Sequence, residues 1–275
     1  MSHVAPAELK ARAAALLAEL LPRADRLTAR ERLQIPAQDM PSQAPEVRRG
    51  NMDEVAIGYS AEQARVESMR CMQCKNAPCI KGCPVRIDIP AFLKAAAADD
   101  FNNAIAIIRE ASLLPAVCGR VCPQETQCQQ NCTVGRSLKD VGKAVMIGRV
   151  ERFVADLERD GGATKPLAVA APTGKKVALI GPGPAGVTVA AAVRRAGHAV
   201  TMFEAFHKPG GVLMYGIPEF RLPKSIVQFE IDVLKRMGVE VRTNYVVGRT
   251  RKLADMLAGD GFHAAFIGTG AGLPK

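Results

Sequence analysis

The chain has 275 residues, a length that predicts two domains at about 100 to 200 residues each. Hydrophobic residues make up 48% of it, which is enough for a core and argues against a disordered protein. No apolar run reaches the roughly 18 residues of a membrane span, and the N-terminal segment lacks the features of a signal peptide. We therefore expect a cytoplasmic protein, in which eight cysteines favour metal or redox chemistry over disulfides.

The net charge of +10 is concentrated in the second part of the chain. Residues 1–160 carry a net charge of +2, whereas residues 161–275 carry +8. A basic excess often accompanies nucleic-acid binding. Here no Lys/Arg run exceeds two residues and aromatic residues are only 4%, so stacking on bases has little support. Anionic cofactors account better for the charge, and no nucleic-acid partner is expected.

The first part of the chain is predicted to be an α-helical domain over residues 1–160. Helical spacing of apolar residues predicts helices at about Pro6–Leu21, Ile89–Ala98, Asn102–Ala111 and Lys143–Leu157. Asp88 and Asp100 are placed to be N-caps of the second and third of these, and the stretch Ile35–Pro45 reads as an extended connector. No alternating strand pattern precedes residue 175, and we expect this domain to have little apolar core of its own.

A change of pattern follows a linker at residues 161–174, which is rich in Gly, Pro, Ala and Thr. Strands are then predicted at Lys176–Ile180, Ala199–Glu204, Val239–Thr243 and Phe262–Gly268, and helices at Ala185–Ala196 and Pro223–Met237. Alternating strands and helices predict a parallel sheet with crossover helices. The expected fold is therefore α + α/β, with a Rossmann-like domain at residues 175–275.

All eight cysteines fall in two dense runs. The first run holds Cys71, Cys74, Cys79 and Cys83, followed by Pro84, and the second holds Cys118, Cys122, Cys128 and Cys132. Close spacing with a following proline is typical of ferredoxin-like cluster binding, in which the fourth cysteine of a run ligates the other cluster. Two 4Fe-4S clusters with crossed ligands are the natural interpretation. Two zinc sites remain an alternative that the count allows, and disulfides are a more distant one.

A glycine-rich motif follows the first predicted strand and opens a helix. It reads Gly181, Pro182, Gly183, Pro184, Ala185 and Gly186. In such a motif the glycines allow a tight turn, close approach of a pyrophosphate and close helix packing, and Glu204 at the end of the next strand is placed for a ribose hydroxyl. A glycine-rich turn without a ligand is the alternative. Further on, Gly210, Gly211, Val212 and Arg221 form a segment suited to lie along a flavin, although Arg221 could equally be a solvated surface charge.

Four motifs in this order resemble the family of the small (beta) subunit of NADPH-dependent glutamate synthase. They read RCMQCKNAPCIKGCPVRIDIP, LPAVCGRVCPQETQCQQNC, GPGPAG and GGVLMYGIPEFRLPK. The arrangement is also similar to the N-terminal part of dihydropyrimidine dehydrogenase and to the large subunit of the electron-bifurcating ferredoxin–NADP reductase. The resemblance spans residues 41–274, nearly the whole chain.

The resemblance implies a ligand set that differs from a plain count of eight cysteines. It assigns one cluster to Cys71, Cys74, Cys79 and Cys132, and the other to Cys83, Cys122, Cys128 and Glu151. Cys118 then becomes a spare thiol. From the residue pattern alone, Glu151 reads as a solvated acid on a helix, so its role as a ligand is implied by the resemblance only.

The resemblance also implies the flavin contacts. It places FAD on the turn from Gly181 to Gly186 and on Glu204, with further contacts from Gly211, Val212, Arg221 and Val247. The sequence ends at Lys275, shortly after the segment 268–272 where the family crosses into its NADPH domain, and no second glycine motif is present. We therefore expect the chain to be the first part of a longer enzyme, with the nicotinamide site elsewhere.

The function expected from these motifs is that of an NAD(P)H-dependent oxidoreductase. Electrons would pass from NADPH through FAD and two 4Fe-4S clusters to an electron-accepting partner, either the glutamate synthase large subunit or a ferredoxin-linked protein. A bifurcating ferredoxin–NADP reductase subunit, a non-catalytic iron–sulfur module and a zinc-stabilised interaction protein are the alternatives.

Overall fold

The computed structural model describes residues 3–162 and 167–271, and the chain divides into two compact units, residues 1–163 and 164–275. Part of the predicted linker, residues 163–166, lies outside the described residues, and so does Gly272 of the segment 268–272. Each unit is considered by itself.

Helices make up nearly all of the regular secondary structure in the described residues of the first unit. Its α-helices are α1 (Pro6–Leu20), α2 (Ala29–Gln34), α3 (Pro45–Arg48), α4 (Ala61–Met69), α5 (Pro78–Gly82), α6 (Ile89–Ala97), α7 (Phe101–Ala111), α8 (Pro115–Val121), α9 (Thr133–Ser137) and α10 (Ile147–Asp160). Turns of 3-10 helix occupy Leu21–Arg26, Gln124–Thr126 and Val141–Lys143. The predicted connector at 35–45 is largely extended and includes one isolated bridge between Ser42 and Ala56. None of the helices in the part of the chain that the structure describes is long and apolar enough to cross a membrane.

Both predicted N-caps are confirmed. The Asp88 carboxylate accepts a hydrogen bond from the Ala91 N–H at 3.2 Å, and Asp100 accepts one from the Asn103 N–H at 3.2 Å. Each carboxylate satisfies a backbone donor that the first turn of a helix leaves free. Helices α6 and α7 therefore begin directly after these residues.

The last helix of this unit begins later than predicted, at Ile147 rather than Lys143. Hydrogen bonds to buried side chains hold the preceding backbone in a different conformation. The Arg70 guanidinium donates to the carbonyls of Lys143 and Ala144, which are then not used in α10. The Met146 N–H donates to the Glu67 carboxylate at 2.9 Å. Backbone groups that a helix would use are thus committed to side chains far away in the sequence.

The expectation of little apolar core in the first unit was wrong. One buried cluster joins α1, α4 and the segment between them through Leu17, Leu20, Leu27, Ile35, Val66 and Met69. Further buried residues come from α6, α7 and α10, among them Phe92, Leu93, Ile108, Val150 and Val154. Many short helices each supply a few apolar residues, so no single window of the sequence shows the core that they build together.

A buried ion pair lies within this core. The Arg70 guanidinium is 2.6 Å from the Glu67 carboxylate, and both side chains are at most 1% exposed. Arg70 also donates to the Ile35 carbonyl, and Glu67 accepts from the Gln38 N–H. The pair therefore links α4 to the extended connector as well as to the segment before α10.

The second unit is a four-stranded parallel sheet with helices. Its elements are β1 (Lys176–Ile180), α11 (Pro184–Arg195), β2 (Ala199–Phe203), α12 (Val212–Tyr215), α13 (Lys224–Arg236), β3 (Glu240–Arg242), α14 (Leu253–Ala258) and β4 (Ala264–Ile267). The strand order is β3-β2-β1-β4, and every neighbouring pair is parallel. The predicted strands and helices are present: β1 has the predicted bounds, α11 starts and ends one residue earlier, and β2, β3, β4 and α13 are slightly shorter. The sequence analysis missed α12 and α14. The parallel sheet with its helices places this unit in the α/β class.

Candidate metal centre and dinucleotide site

Four cysteines line one cavity of the first unit. They are Cys71, Cys74, Cys79 and Cys132, which are the four that the family resemblance assigns to one cluster. Cys71 follows the end of α4, Cys79 lies on α5, and Cys132 directly precedes α9. The fold thus brings a cysteine of the second run into the group formed by the first run.

The surroundings of this cavity are mostly apolar. Its other lining residues are Met72, Ile89, Pro90, Leu93, Thr133, Val134, Val145 and Ile147. Burial raises the pKa of Cys71 to about 11 and that of Cys79 to about 12. A thiolate here needs a compensating positive charge, which the irons of a cluster supply when thiolates ligate them.

A second group of ligand-type side chains surrounds Glu151 on α10. Burial raises the pKa of Cys128 to about 12, and the charges of Glu151, Cys83 and Cys122 act in the same direction. These four are the residues that the resemblance assigns to the other cluster. Cys83 directly follows α5, and Cys122 directly follows α8. With Cys128 before α9 and Glu151 on α10, four separate segments supply this group.

Glu151 is buried, and the interpretation of it as a solvated acid was wrong. It is 6% exposed, and its Oε1 atom has no hydrogen-bond partner in the described residues. Burial, reinforced by the charge of Cys122, raises the pKa of its carboxyl well above the usual value. Ile147 one turn earlier and Val154 nearly one turn later share its buried face. An acid on the apolar stripe of an amphipathic helix was the sequence signal for this residue.

Cys118 lies one helical turn before Cys122 on α8, and the structure brings it to the second group as well. A hydrogen bond between the two thiols lowers the pKa of Cys122 to about 7 and raises that of Cys118. The Ser112 hydroxyl donates to the Cys118 sulfur at 3.9 Å. Cys118 and Glu151 are therefore both neighbours of Cys122, and the spare role of Cys118 stays a prediction.

Close packing of two helices brings Cys122 next to Glu151. A Cβ added at Gly119 of α8 would stand 2.6 Å from the backbone nitrogen of Arg152 on α10, so only glycine allows this approach. Next to this crossing, the buried Arg120 binds Glu54 at 2.8 Å and Asp156 at 2.7 Å. The glycine and the ion pairs hold α8 against α10 and so position the second group.

Within the described residues, no three His, Cys, Asp or Glu side chains come close enough together to hold a single metal ion. Thiolates around a cubane each bind a different iron, so they stand farther apart than the ligands of one ion. A cluster site therefore need not bring three of these side chains as close together as a single ion does.

In the second unit, the glycine motif forms a tight turn between β1 and α11. Gly181 has a φ of +91°, and a Cβ there would stand 2.4 Å from the Gly268 carbonyl oxygen. A Cβ on Gly186 would stand 2.2 Å from the Gly181 carbonyl oxygen. Gly183 caps α11 with no side-chain hydrogen bond, and its nearest neighbour on the Cβ side is 3.9 Å away. Free backbone donors and open space at a helix N-terminus form a site suited to a phosphate group.

Glu204 follows β2 directly, at the same edge of the sheet as the turn after β1. The pairing of Ile180 with Phe203 places the ends of the two strands side by side. Glu204 is buried, and its Oε1 atom accepts a hydrogen bond from the Phe206 N–H at 2.9 Å. The carboxylate is thus held in a fixed orientation beside the turn, as a dinucleotide site requires.

The second glycine segment packs directly on the first. The Gly210 N–H donates to the Pro182 carbonyl at 2.9 Å, and a Cβ on Gly211 would stand 2.8 Å from the Gly183 Cα. Val212 is exposed beside this contact, at the start of α12. The segment predicted to lie along a flavin therefore adjoins the predicted pyrophosphate turn.

The remaining two predicted flavin residues are placed less decisively. Arg221 is exposed, and Val247 packs against the buried cluster of the sheet that contains Phe203 and Met256. Their roles stay predictions.

The sequence analysis also missed Lys224, whose ammonium group donates to the carbonyls of Leu213, Ile217 and Leu222. Since these carbonyls flank the chain between α12 and α13, Lys224 fixes the shape of that segment.

Comparison with known proteins gives matches over most of the chain. Residues 48–163 match the family model described as dihydropyrimidine dehydrogenase domain II, 4Fe-4S cluster. The NAD-dependent dihydropyrimidine dehydrogenase subunit PreT of Escherichia coli K12 is 37% identical over 231 residues, which cover 81% of this chain and 53% of that protein. The glutamate synthase [NADPH] small chain of the same organism is 36% identical over 232 residues, covering 84% and 48%. The corresponding small chain of Azospirillum brasilense is 35% identical over 221 residues, covering 80% and 45%.

Residues 48–163 thus match a 4Fe-4S domain, and a parallel α/β unit follows them in the chain. The chain is homologous to the glutamate synthase small chain and to the PreT subunit, as the motif resemblance predicted. It spans about half the length of the curated relatives it matches.

Proposed function

We propose that this chain carries electrons from NADPH through FAD and two 4Fe-4S clusters to a partner subunit, as a small subunit of the glutamate synthase type. The observation that carries the proposal is the pair of separate ligand groups in the first unit. One group is four cysteines on an apolar cavity, and the other contains a buried carboxylate with an unpartnered oxygen. A buried carboxylate without a partner is costly unless a cation binds it, and a cluster iron would do so.

The donor sets suit the groups that they would hold. Cys71, Cys74, Cys79 and Cys132 would bind one cluster, and Cys83, Cys122, Cys128 and Glu151 the other. When bound, the flavin accepts a hydride and passes on single electrons, which the clusters accept one at a time. In the chain itself, the apolar residues around the first cavity exclude water, and the N–H groups at the start of α11 would bind the pyrophosphate. Glu204 would accept hydrogen bonds from the ribose hydroxyls.

A dihydropyrimidine dehydrogenase subunit is the second candidate, and a specific observation favours it. The PreT subunit, at 37% identity, is as similar to this chain as the glutamate synthase small chain, at 36%. The two candidates differ in the partner and in the nucleotide that the relatives' names give, NAD for PreT and NADPH for the glutamate synthase small chain. Co-purification of the native protein with its partner, followed by assay with NADH and NADPH, distinguishes them. The bifurcating reductase remains a further alternative within this class.

The metal content provides the first test of this function. Anaerobically purified protein should contain about eight iron per chain and absorb broadly near 400 nm, as two cubane clusters require. Iron and acid-labile sulfide analysis checks the count. About two zinc per chain with no visible absorption would end the iron–sulfur proposal.

Replacement of Lys224 provides a test of the flavin site. Lys224→Met removes three hydrogen bonds that hold the segment between α12 and α13, so we expect FAD to bind at least about tenfold more weakly, which corresponds to about 1.4 kcal/mol. Lys235→Met is the matched control, because Lys235 is on the same helix, is exposed and pairs only with Asp232. Fluorescence titration with FAD gives both affinities. Equal affinities in the two variants would contradict a role of Lys224 in the flavin site.

A further inference from the structure

The loops that carry the cysteines of the first unit expose five cations. These are Lys75, Lys81, Arg86, Arg136 and Lys139, referred to here as the basic rim. Among the described residues, none of the five lies within ion-pair distance of a carboxylate, and the ion pair formed in these loops is that of Lys143 with Asp140. Unpaired cations that lie close together produce a positive electrostatic potential, which attracts a negatively charged partner.

Contacts between two of these segments bring the surroundings of Lys81 and Arg136 together. A Cβ on Gly82, next to Lys81, would stand 2.5 Å from the Asn131 side-chain nitrogen, and Arg136 donates to the side-chain amide oxygen of Asn131 at 2.8 Å. The ends of α5 and α9 therefore meet at Asn131.

Lys75 belongs to the same surface. The neighbouring Cys74 thiol donates a hydrogen bond to the Thr133 hydroxyl at 3.2 Å, at the start of α9. Lys75 is thus held beside the helix that carries Arg136.

Acidic residues in the same loops do little to offset the rim. Within residues 72–88 and 123–140 they are Asp88, Glu125 and Asp140. Asp88 caps α6, while Asp140 accepts from the Gly142 N–H and lies 3.9 Å from Lys143. Glu125 is exposed, and within the described part of these segments it has no cap or ion-pair interaction like those of Asp88 and Asp140.

We propose that the basic rim is the docking surface for the acidic face of a one-electron carrier protein that exchanges electrons with the first cluster. The proposal rests on the function proposed above. Electron transfer requires close approach, and Lys75 lies between Cys74 and Cys79, two of the residues that would hold that cluster. A partner that reaches the cluster edge therefore meets the rim first. Complementary charge on the partner would both speed the encounter and fix its orientation.

The test uses two small oxidants of opposite charge on the cluster-loaded chain after reduction with dithionite. Ferricyanide is a trianion and tris(phenanthroline)cobalt(III) is a trication, and each oxidation is followed in a stopped-flow instrument near 400 nm. Salt screens exposed charges over about 10 Å at 0.1 M. We expect the ferricyanide rate to fall several-fold between about 10 mM and 200 mM salt, and the cobalt rate to rise. The same salt dependence for both oxidants would overturn the proposal.

Charge-reversal variants locate the effect. Lys75→Glu/Lys81→Glu should abolish or reverse the salt dependence with ferricyanide while the iron content stays unchanged. Arg249→Glu/Lys252→Glu, which makes the same change in net charge on exposed residues of the second unit, should leave it as in the native chain. Equal effects of the two variants would show that only the net charge matters and would overturn the proposal. Loss of iron in the rim variant would show that the rim offsets cluster charge instead, and would also overturn it.

A protein probe completes the experiment. An acidic plant-type ferredoxin, joined to the chain by a zero-length carbodiimide, should cross-link at Lys75, Lys81 or Lys139 as identified by mass spectrometry. Cross-links confined to other lysines would contradict docking on the rim. Absence of iron from the native chain would refute the proposed function and this inference together, whereas a loaded chain without charge preference would refute this inference alone.

Discussion

Cys122→Ser should lose about half of the iron, about four of about eight atoms per chain, because a cubane that loses a thiolate ligand is released from its site. The loss is expected to be confined to one cluster, since Cys122 belongs to the group around Glu151 and not to the cavity lined by Cys71 and Cys132. Iron analysis and the absorbance near 400 nm, both under anaerobic conditions, measure it. Retention of all the iron would mean that Cys122 is not a ligand.

Cys118→Ser is the matched comparison, because it removes a thiol from the same helix one turn away. If Glu151 is the fourth ligand, this variant should keep about eight iron, while Glu151→Leu should lose about four. Glu151→Gln should keep the cluster, since the amide leaves an oxygen donor at the same position. Loss of four iron from Cys118→Ser, with none from Glu151→Leu, would restore the reading in which all eight cysteines are ligands.

Arg70→Met should destabilise the first unit by about 3–5 kcal/mol, because it leaves the fully buried Glu67 carboxylate without its cation. The same change removes the hydrogen bonds to the carbonyls of Lys143 and Ala144, which precede two residues of the first cavity, Val145 and Ile147. Urea titration followed by bleaching near 400 nm should therefore show a much lower midpoint for the variant than for the native chain.

Arg12→Met is the control for this prediction. Arg12 pairs with Glu8 on the exposed face of α1, and an exposed pair of this kind contributes less than about 1 kcal/mol. The control should therefore unfold close to the native chain. Equal shifts in the two variants would show that burial of the Glu67–Arg70 pair has no special effect on stability. A double variant, Glu67→Leu/Arg70→Met, should recover part of the loss, since no unpaired charge remains.

Local patterns in the sequence were sufficient for much of this fold. Asp88 and Asp100 cap helices because a carboxylate next to a helix start binds donors only three residues away. The motif from Gly181 to Gly186 predicts a turn between a strand and a helix, because glycine readily adopts the positive φ of Gly181 and leaves room for the close backbone contacts at Gly181 and Gly186. The strand–helix alternation after residue 175 was enough to predict a parallel sheet, since such a connection needs a crossover.

The tertiary structure decided what depends on residues distant in the sequence. The sequence shows two runs of cysteines, and the fold determines that Cys132 joins Cys71 on one cavity. Glu151 lies on the apolar stripe of its helix, but the packing of α8 on α10 at Gly119 decides that it is buried beside Cys122. Lys224 gave no signal, because its role arises from three carbonyls that meet only in the folded loop. Spacing along a chain therefore predicts turns, helix caps and candidate ligands. The burial of a side chain, its hydrogen-bond partners and the group of ligands that it joins depend on which segments pack together.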